Sequence, residues 1–330
     1  PEPIKVALWK EATTPTTTTK IMQSYSNIIA DPIRPLIYVH NSSTSIDIYN
    51  IYTAQKIGTI AGLGTSLGSM TISPNGDNLY VQDTTSRNLV IVNLSTQTKT
   101  NTWSLTSSPR APAHIKAIRP NGVEIILTDG GSAYLASNGK FMASSIASNA
   151  YYNRADITAT ADGKRVYIQD NGISPSSTWA YSVDYSEMNG GTLFVSLLTP
   201  SWGSRGTGSN GQDIAVSADG SHLYVANGAP YRCSAISPID LSFIGALIGG
   251  DAYPNNVKVG SDGRVFCGIS GLYSSADIWV HSPDGALQSS FKFAGYAKNL
   301  LDRQMAISGD GLVLAGITND PILAIIPVGP

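Results

Sequence analysis

A short turn sequence recurs along this chain, and it constrains the fold more than any other feature. Each copy ends in Asn-Gly or Asp-Gly and lies between two segments of alternating apolar residues. Because glycine takes a positive φ without a steric clash, this arrangement is the strongest short-range signal for a β-hairpin. The sequence therefore predicts repeated hairpins. Six clear copies occupy residues 73–76, 119–122, 160–163, 217–220, 260–263 and 308–311.

A seventh, degenerate copy occupies residues 30–35, and the strand after it matches the strands that follow the other turns. One aromatic or apolar residue in each of these strands marks the repeat, and successive markers lie 41 to 57 residues apart. Four-stranded propeller blades repeat at about 40–50 residues. The chain is therefore predicted to be all-β, a seven-bladed β-propeller of four-stranded antiparallel blades. The markers are Tyr38, Tyr80, Ile126, Tyr167, Tyr224, Phe266 and Val313.

The ends of the chain indicate how the ring closes. The last repeat contains only three strand-like segments before the sequence ends, whereas residues 17–23 form a spare strand-like segment near the N-terminus. We expect this N-terminal strand to complete the last blade, because the pairing removes an open sheet edge. Residues 1–19 are then an N-terminal extension and linker, and residues 20–330 form the propeller.

The repeats resemble the YVTN-type family of seven-bladed propellers, a superfamily of lactonase-like and surface-layer proteins. Residues 214–220 followed by Leu223-Tyr224-Val225-Ala226-Asn227 carry this resemblance, which covers roughly residues 20 to 330. It implies a secreted or surface protein or a relative of the propeller lactonases. It does not define the function, since this fold hosts many activities.

The composition narrows the possible functions. Charged residues make up only 13% of the chain, about half the usual share for a soluble domain, so Ser, Thr, Asn and Gly must supply the polar surface. This composition favours an extracellular, cell-surface or virion location. The net charge of −2 and the absence of a basic run argue against nucleic-acid binding. No apolar stretch approaches the ~18 residues of a membrane span.

The two cysteines, Cys233 and Cys267, lie in neighbouring repeats and lack the spacing of a metal site. Spacing alone does not decide whether they are paired. Two buried thiols are the expected state, and a disulfide is the alternative.

Long loops indicate where a ligand could bind. In a propeller, the short turns lie on one face, and the connections from second to third strand and from blade to blade lie on the other, here called the long-loop face. The longest repeat, of 57 residues, has its extra length at 171–177 and 200–211 on that face. Aromatic rings and arginines on such loops suit a glycan or protein partner, although they could instead pack beneath their own loops. The candidate binding residues are Tyr151, Tyr152, Arg154, Trp202, Arg205, Tyr231, Arg232 and Tyr253.

A ring of polar residues is predicted at the mouth of the central channel, because the first strand of each blade lines that channel. Its members share one position, seven residues before the turn glycine. We expect this ring to solvate the channel. The members of the ring are Asn27, Ser69, Asp156, Asp213, Asn256 and Gln304, with Ile115 and the adjacent His114 in the third blade.

The same ring offers an alternative function. Asn27, Asp156, Asp213 and Asn256 carry oxygen ligands of the kind that Ca²⁺ prefers, and some propeller lactonases use a similar set. A lactonase-like hydrolase would hold Ca²⁺ or another divalent cation there to polarise a lactone carbonyl, with Asp156, Asp213 and His114 as catalytic candidates. No matching glutamate or positioned histidine base completes the set. The main prediction is therefore a non-catalytic binding or structural module without a cofactor.

Overall fold

The computed structural model places the chain in seven four-stranded antiparallel sheets. The structure describes residues 14–107, 112–142, 156–187, 191–198, 208–229, 231–247, 253–270, 275–292 and 300–329. The one helical element that lies wholly within these ranges is a single 3₁₀ turn at Pro120–Gly122. No helix among the described residues is long and apolar enough to cross a membrane.

Each of the first six blades is formed by four consecutive strands. Blade 1 contains β2 (Asn27–Ala30), β3 (Leu36–His40), β4 (Ile46–Asn50) and β5 (Lys56–Ile60). Blade 2 contains β6 (Leu67–Ile72), β7 (Asn78–Asp83), β8 (Asn88–Asn93) and β9 (Thr98–Ser104). Blade 3 contains β10 (Ile115–Ile118), β11 (Ile125–Thr128), β12 (Ala133–Leu135) and β13 (Phe141–Met142). Blade 4 contains β14 (Asp156–Ala159), β15 (Arg165–Gln169), β16 (Thr178–Ser186) and β17 (Thr192–Leu197). Blade 5 contains β18 (Ser209–Val216), β19 (Leu223–Ala229), β20 (Cys233–Ile236) and β21 (Phe243–Ala246). Blade 6 contains β22 (Pro254–Val259), β23 (Val265–Ile269), β24 (Ile278–His281) and β25 (Leu287–Phe291).

The seventh blade joins the two ends of the chain. It consists of β26 (Leu300–Ile307), β27 (Val313–Thr318), β28 (Leu323–Pro327) and the N-terminal strand β1 (Thr19–Ile21). The N-terminal strand lies antiparallel to β28, with Thr19 opposite Ile325 and Ile21 opposite Leu323. The predicted closure by an N-terminal strand, and with it the seven-bladed fold, is confirmed.

The recurring turn is stabilised by its own side chains. In the second blade, Ser73 Oγ donates to Asn75 Oδ1 at 2.7 Å and accepts from the amides of Asp77 and Asn78, both at 2.9 Å. Gly76 follows with a φ of 71°. Small hydroxyl and amide or carboxylate side chains of this kind hydrogen-bond the nearby backbone of a turn. Where the turn begins with Ser or Thr, as in 73–76, 160–163, 217–220 and 308–311, its side chains thus stabilise the hairpin that the repeat marks.

The core lies between the blades. Seven apolar clusters of described residues each join two neighbouring blades, so every blade packs on both of its faces. Two of the tyrosine markers also hydrogen-bond across these interfaces through their hydroxyl groups. Tyr80 of blade 2 donates to Glu124 of blade 3 at 2.5 Å, and Tyr167 of blade 4 donates to the Pro238 carbonyl of blade 5 at 3.0 Å. Tyr80 and Tyr167 thus combine apolar burial with a hydrogen-bond partner for the hydroxyl group, as buried tyrosines require.

The expectation of two buried thiols is wrong, because Cys233 and Cys267 form a disulfide. Cys233 lies on the third strand of blade 5 and Cys267 on the second strand of blade 6, with Cα atoms 6.3 Å apart. Both side chains belong to the apolar cluster between these blades. Packing across this interface brings the two cysteines together, and their separation of 34 residues in sequence does not predict the pairing.

Candidate functional site

Three of the eight predicted binding residues lie in the described part of the chain: Tyr231, Arg232 and Tyr253. All three stand on the long-loop face, in the connection between β19 and β20 and immediately before β22. The other five, Tyr151, Tyr152, Arg154, Trp202 and Arg205, lie outside the described residues.

The structure brings Tyr231 and Tyr253 into direct contact. Their ring centroids are 5.1 Å apart and their planes are inclined at 82°, which is the edge-to-face arrangement that aromatic pairs prefer. The two residues remain 44% and 42% exposed. The pair therefore presents aromatic surface to solvent instead of packing entirely beneath its loops.

The backbone beneath this pair is unusual. Tyr231 and Tyr253 have φ values of 64° and 55°. A positive φ is uncommon for a residue other than glycine, asparagine or aspartate, and residues held in this way cluster at functional sites. Two adjacent aromatic residues in this conformation mark the surface between blades 5 and 6 as a candidate site.

The disulfide anchors this surface. Arg232 is exposed and directly precedes Cys233, so the bond to Cys267 holds one end of the loop that carries Tyr231. On the other side, the Tyr253 carbonyl accepts from the Ser270 amide at 2.9 Å, just after β23. The two tyrosines therefore stand on two blades that a covalent bond joins beneath them.

The central channel is the second candidate region. It encloses about 420 Å³ and is lined by the first strands of the blades. Seven of the eight residues predicted at its mouth line this space: Asn27, Ser69, His114, Ile115, Asp156, Asp213 and Gln304. Asn256 is fully buried instead, and its Nδ2 atom donates to the Leu301 carbonyl at 2.9 Å and to Asn255 Oδ1 at 2.8 Å.

Side chains of the polar ring hydrogen-bond the backbone of the next blade, which is a structural role beyond solvation of the channel. Gln304 Oε1 accepts from the Ile28 amide at 3.0 Å, and Asp213 Oδ2 accepts from the Val257 amide at 2.8 Å. Ser69 Oγ accepts in the same way from the amide of Ile115 at 3.2 Å. In each case a side chain of one blade pairs with the first strand of the next. Since the inner edge of that strand has no neighbouring strand, these residues satisfy backbone groups that would otherwise lack a protein partner.

One channel carboxylate forms an ion pair, and a second attracts a lysine at longer range. Lys258 Nζ lies 2.6 Å from Asp213 Oδ2. Burial raises the pKa of the Asp213 carboxyl, and the Lys258 ammonium opposes that shift. Burial also lowers the pKa of Lys116, against the attraction of the Asp156 carboxylate. Two lysine side chains thus accompany the two aspartates that the hydrolase alternative assigned to a divalent cation.

Both carboxylate oxygens of Asp213 already accept hydrogen bonds. The oxygens of Asp213 accept from an ammonium group and from the amides of Ile214 and Val257. Across the ranges that the structure describes, no group of three or more His, Cys, Asp or Glu residues could hold a metal ion. Sequence reasoning missed Lys116 and Lys258, although both lie in first strands within two residues of the ring position.

No protein-family model and no curated protein matches this chain. Solved structures are similar in fold. The hydrazine synthase of Kuenenia stuttgartiensis is 12% identical with a TM-score of 0.64, and the similarity covers 97% of this chain and 99% of that one. The β-propeller domain of Myceliophteria thermophila Cps50 (Swd1) is 10% identical with a TM-score of 0.65, covering 94% and 100%. At such low identity the similarity shows a shared fold alone, and that fold is the β-propeller.

Proposed function

We propose that this propeller is a non-catalytic binding or structural module of a cell-surface, secreted or virion assembly, and that it recognises a glycan or a protein through its long-loop face. The exposed Tyr231–Tyr253 pair carries this proposal. Tyrosine is enriched where proteins bind partners, because it offers a large rigid apolar ring with a polar end at low entropic cost. The exposed Arg232 directly follows Tyr231 and adds a positive charge to this surface.

Two features support an extracellular location. Disulfides form and persist in oxidising compartments, and both cysteines of this chain take part in a disulfide. The 13% content of charged residues suits the Ser/Thr-rich surfaces of exported proteins better than a cytosolic enzyme. Membership of the YVTN-type superfamily belongs to the same proposal and rests on the repeated strand and turn residues.

A glycan array tests this function directly. The labelled protein is applied to the array, and each bound glycan is then titrated by calorimetry against the wild type, Tyr231→Ala and Tyr253→Ala. We expect each substitution to weaken binding at least about tenfold, as truncation of a central aromatic residue does at interfaces.

Phe243→Ala is the matched control, since Phe243 is an aromatic residue of the same blade, 66% exposed, on the outer strand β21. It should bind as the wild type does. A glycan bound with equal affinity by both tyrosine variants would place recognition elsewhere. If the array binds nothing, the same variants are compared for binding to purified proteins of the assembly from which the chain comes, and unchanged binding there would refute the proposed surface.

A further inference from the structure

Arg303 occupies an unusual place in the seventh blade. The pairing of β26 with β27 is irregular between Leu300 and Met305, and Arg303 lies within that irregularity with a φ of 63°. Irregularities of this kind re-aim side chains and are over-represented near functional sites. Here the irregularity places Arg303 in the lining of the central channel. The pairing of the first and second strands is also irregular in blades 2, 5 and 6, between Leu67 and Met70, Gly211 and Asp213, and Pro254 and Asn256. Among the described residues, only in the seventh blade does this irregularity place an arginine in the channel lining.

The Arg303 guanidinium has one donor that is hydrogen-bonded, Nη1, and one buried donor without a partner, Nε. Arg303 Nη1 donates to the Gln212 carbonyl at 3.0 Å, which ties blade 7 to blade 5 across the channel mouth. Its Nε atom is buried and has no hydrogen-bond partner in the described structure. Nε and Nη2 form the side of the guanidinium that binds carboxylate or phosphate with two parallel hydrogen bonds. A buried charged donor without an acceptor is costly, and an oxyanion on this side would remove that cost.

The charge of the channel favours the same kind of ligand. Among the described lining residues, the cations Lys116, Lys258 and Arg303 outnumber the carboxylates Asp156 and Asp213. Lys258 is paired with Asp213. Lys116 has no carboxylate within ion-pair distance among the described residues and only the longer-range attraction of Asp156, whose oxygens accept from the amides of Ile157 and Ile214 at 2.8 and 3.4 Å. The described lining therefore holds more basic than acidic side chains.

We propose that the channel mouth binds a small oxyanion, a phosphate or a short carboxylate, through Arg303 and Lys116. The space of about 420 Å³ admits such an ion together with water. Gln304 also lines this space, and because its Oε1 atom accepts from Ile28, its NH₂ group is the part that remains to donate. This site is separate from the tyrosine pair and does not depend on the function proposed for it.

Isothermal titration calorimetry of the whole chain tests the site with inorganic phosphate and, in a separate arm, with malonate. We expect one saturable site for at least one of these ions, and the tighter of the two identifies the ligand class. Arg303→Gln removes the charge and the paired donors, and it should weaken binding at least about tenfold. Lys116→Met should weaken it several-fold.

Arg119→Gln and Lys140→Met are matched controls, because both residues lie outside the channel lining. Both should bind like the wild type. If Arg303→Gln does not fold, Arg303→Lys keeps the charge but lacks the two parallel donors of the guanidinium. It should still bind the oxyanion more weakly than the wild type does. The proposal is overturned if neither ion binds saturably at about 20 mM, or if the Arg303 variants bind as tightly as the controls. Arg303→Gln should keep its binding to any glycan or protein that the tyrosine pair recognises, so the two proposals fail independently.

Discussion

At the scale of single residues, His40 shows how a buried polar group joins two blades. It is fully buried at the end of β3, and its Nδ1 atom accepts from the Ser42 amide at 3.0 Å. Nε2 therefore carries the proton and donates to the Gly68 carbonyl of blade 2 at 2.8 Å. Burial lowers the pKa of His40 to about 4, so the neutral ring is the form that the fold requires.

This histidine makes the stability of the protein depend on pH. The pKa in the unfolded chain is about 6.5, so between pH 6.5 and 4 the unfolded state binds a proton that the folded state does not. The free energy of unfolding should therefore fall as the pH drops through this window, by about 3 kcal/mol for this residue. Urea unfolding at pH 7, 5.5 and 4 measures this change in the free energy of unfolding.

His40→Gln separates this effect from the other titrating groups. Glutamine keeps a donor and an acceptor but does not titrate, so this variant should be less stable at pH 7 and should lose less stability on acidification. Parallel pH curves for the variant and the wild type would show that His40 is not the group responsible.

At the scale of strands and blades, what the sequence predicts depends on the distance over which each interaction acts. Hairpins could be predicted, because the turn residues that stabilise them are neighbours in sequence, as in 73–76. Contacts between blades could not be predicted, because their residues are distant in sequence. Cys233 meets Cys267, and Lys258 meets Asp213, only because separate sheets pack face to face. Tyr231 and Tyr253 were both predicted as binding residues, but their mutual contact again depends on packing between blades.

The disulfide between β20 and β23 should contribute substantially to stability. Linking residues separated by 34 positions restricts the unfolded chain, which corresponds to about 3–4 kcal/mol in the loop-entropy model. The double variant Cys233→Ala/Cys267→Ala should therefore unfold at a clearly lower urea concentration. Reduced wild type provides the comparison and should match the double variant. Equal midpoints for the oxidised wild type and the double variant would mean that packing between blades 5 and 6 alone fixes the interface.

At the scale of the whole molecule, stability depends on closing the ring. Every blade packs against two neighbours, so an opening at one interface exposes apolar surface on both sides of it. The sequence predicts the closure because the last repeat lacks one strand and a spare segment precedes the first. It does not predict the binding surface in the same way, because the surface depends on which loops meet above the ring.

Removal of the N-terminal strand tests the contribution of closure. A chain that begins at Ser24 lacks β1, so the edge of β28 loses its backbone partner and Ile21 no longer packs against the cluster between blades 7 and 1. Several hydrogen bonds at about 1 kcal/mol each and one apolar side chain at about 2 kcal/mol predict a loss of at least about 3 kcal/mol in the free energy of unfolding. The exposed edge should also promote self-association, since an unpaired strand is a template for another chain. A chain that begins at Thr14 keeps β1 and serves as the control. Urea unfolding and light scattering compare the two, and equal stability with a monomeric shorter chain would mean that three strands suffice to close the seventh blade.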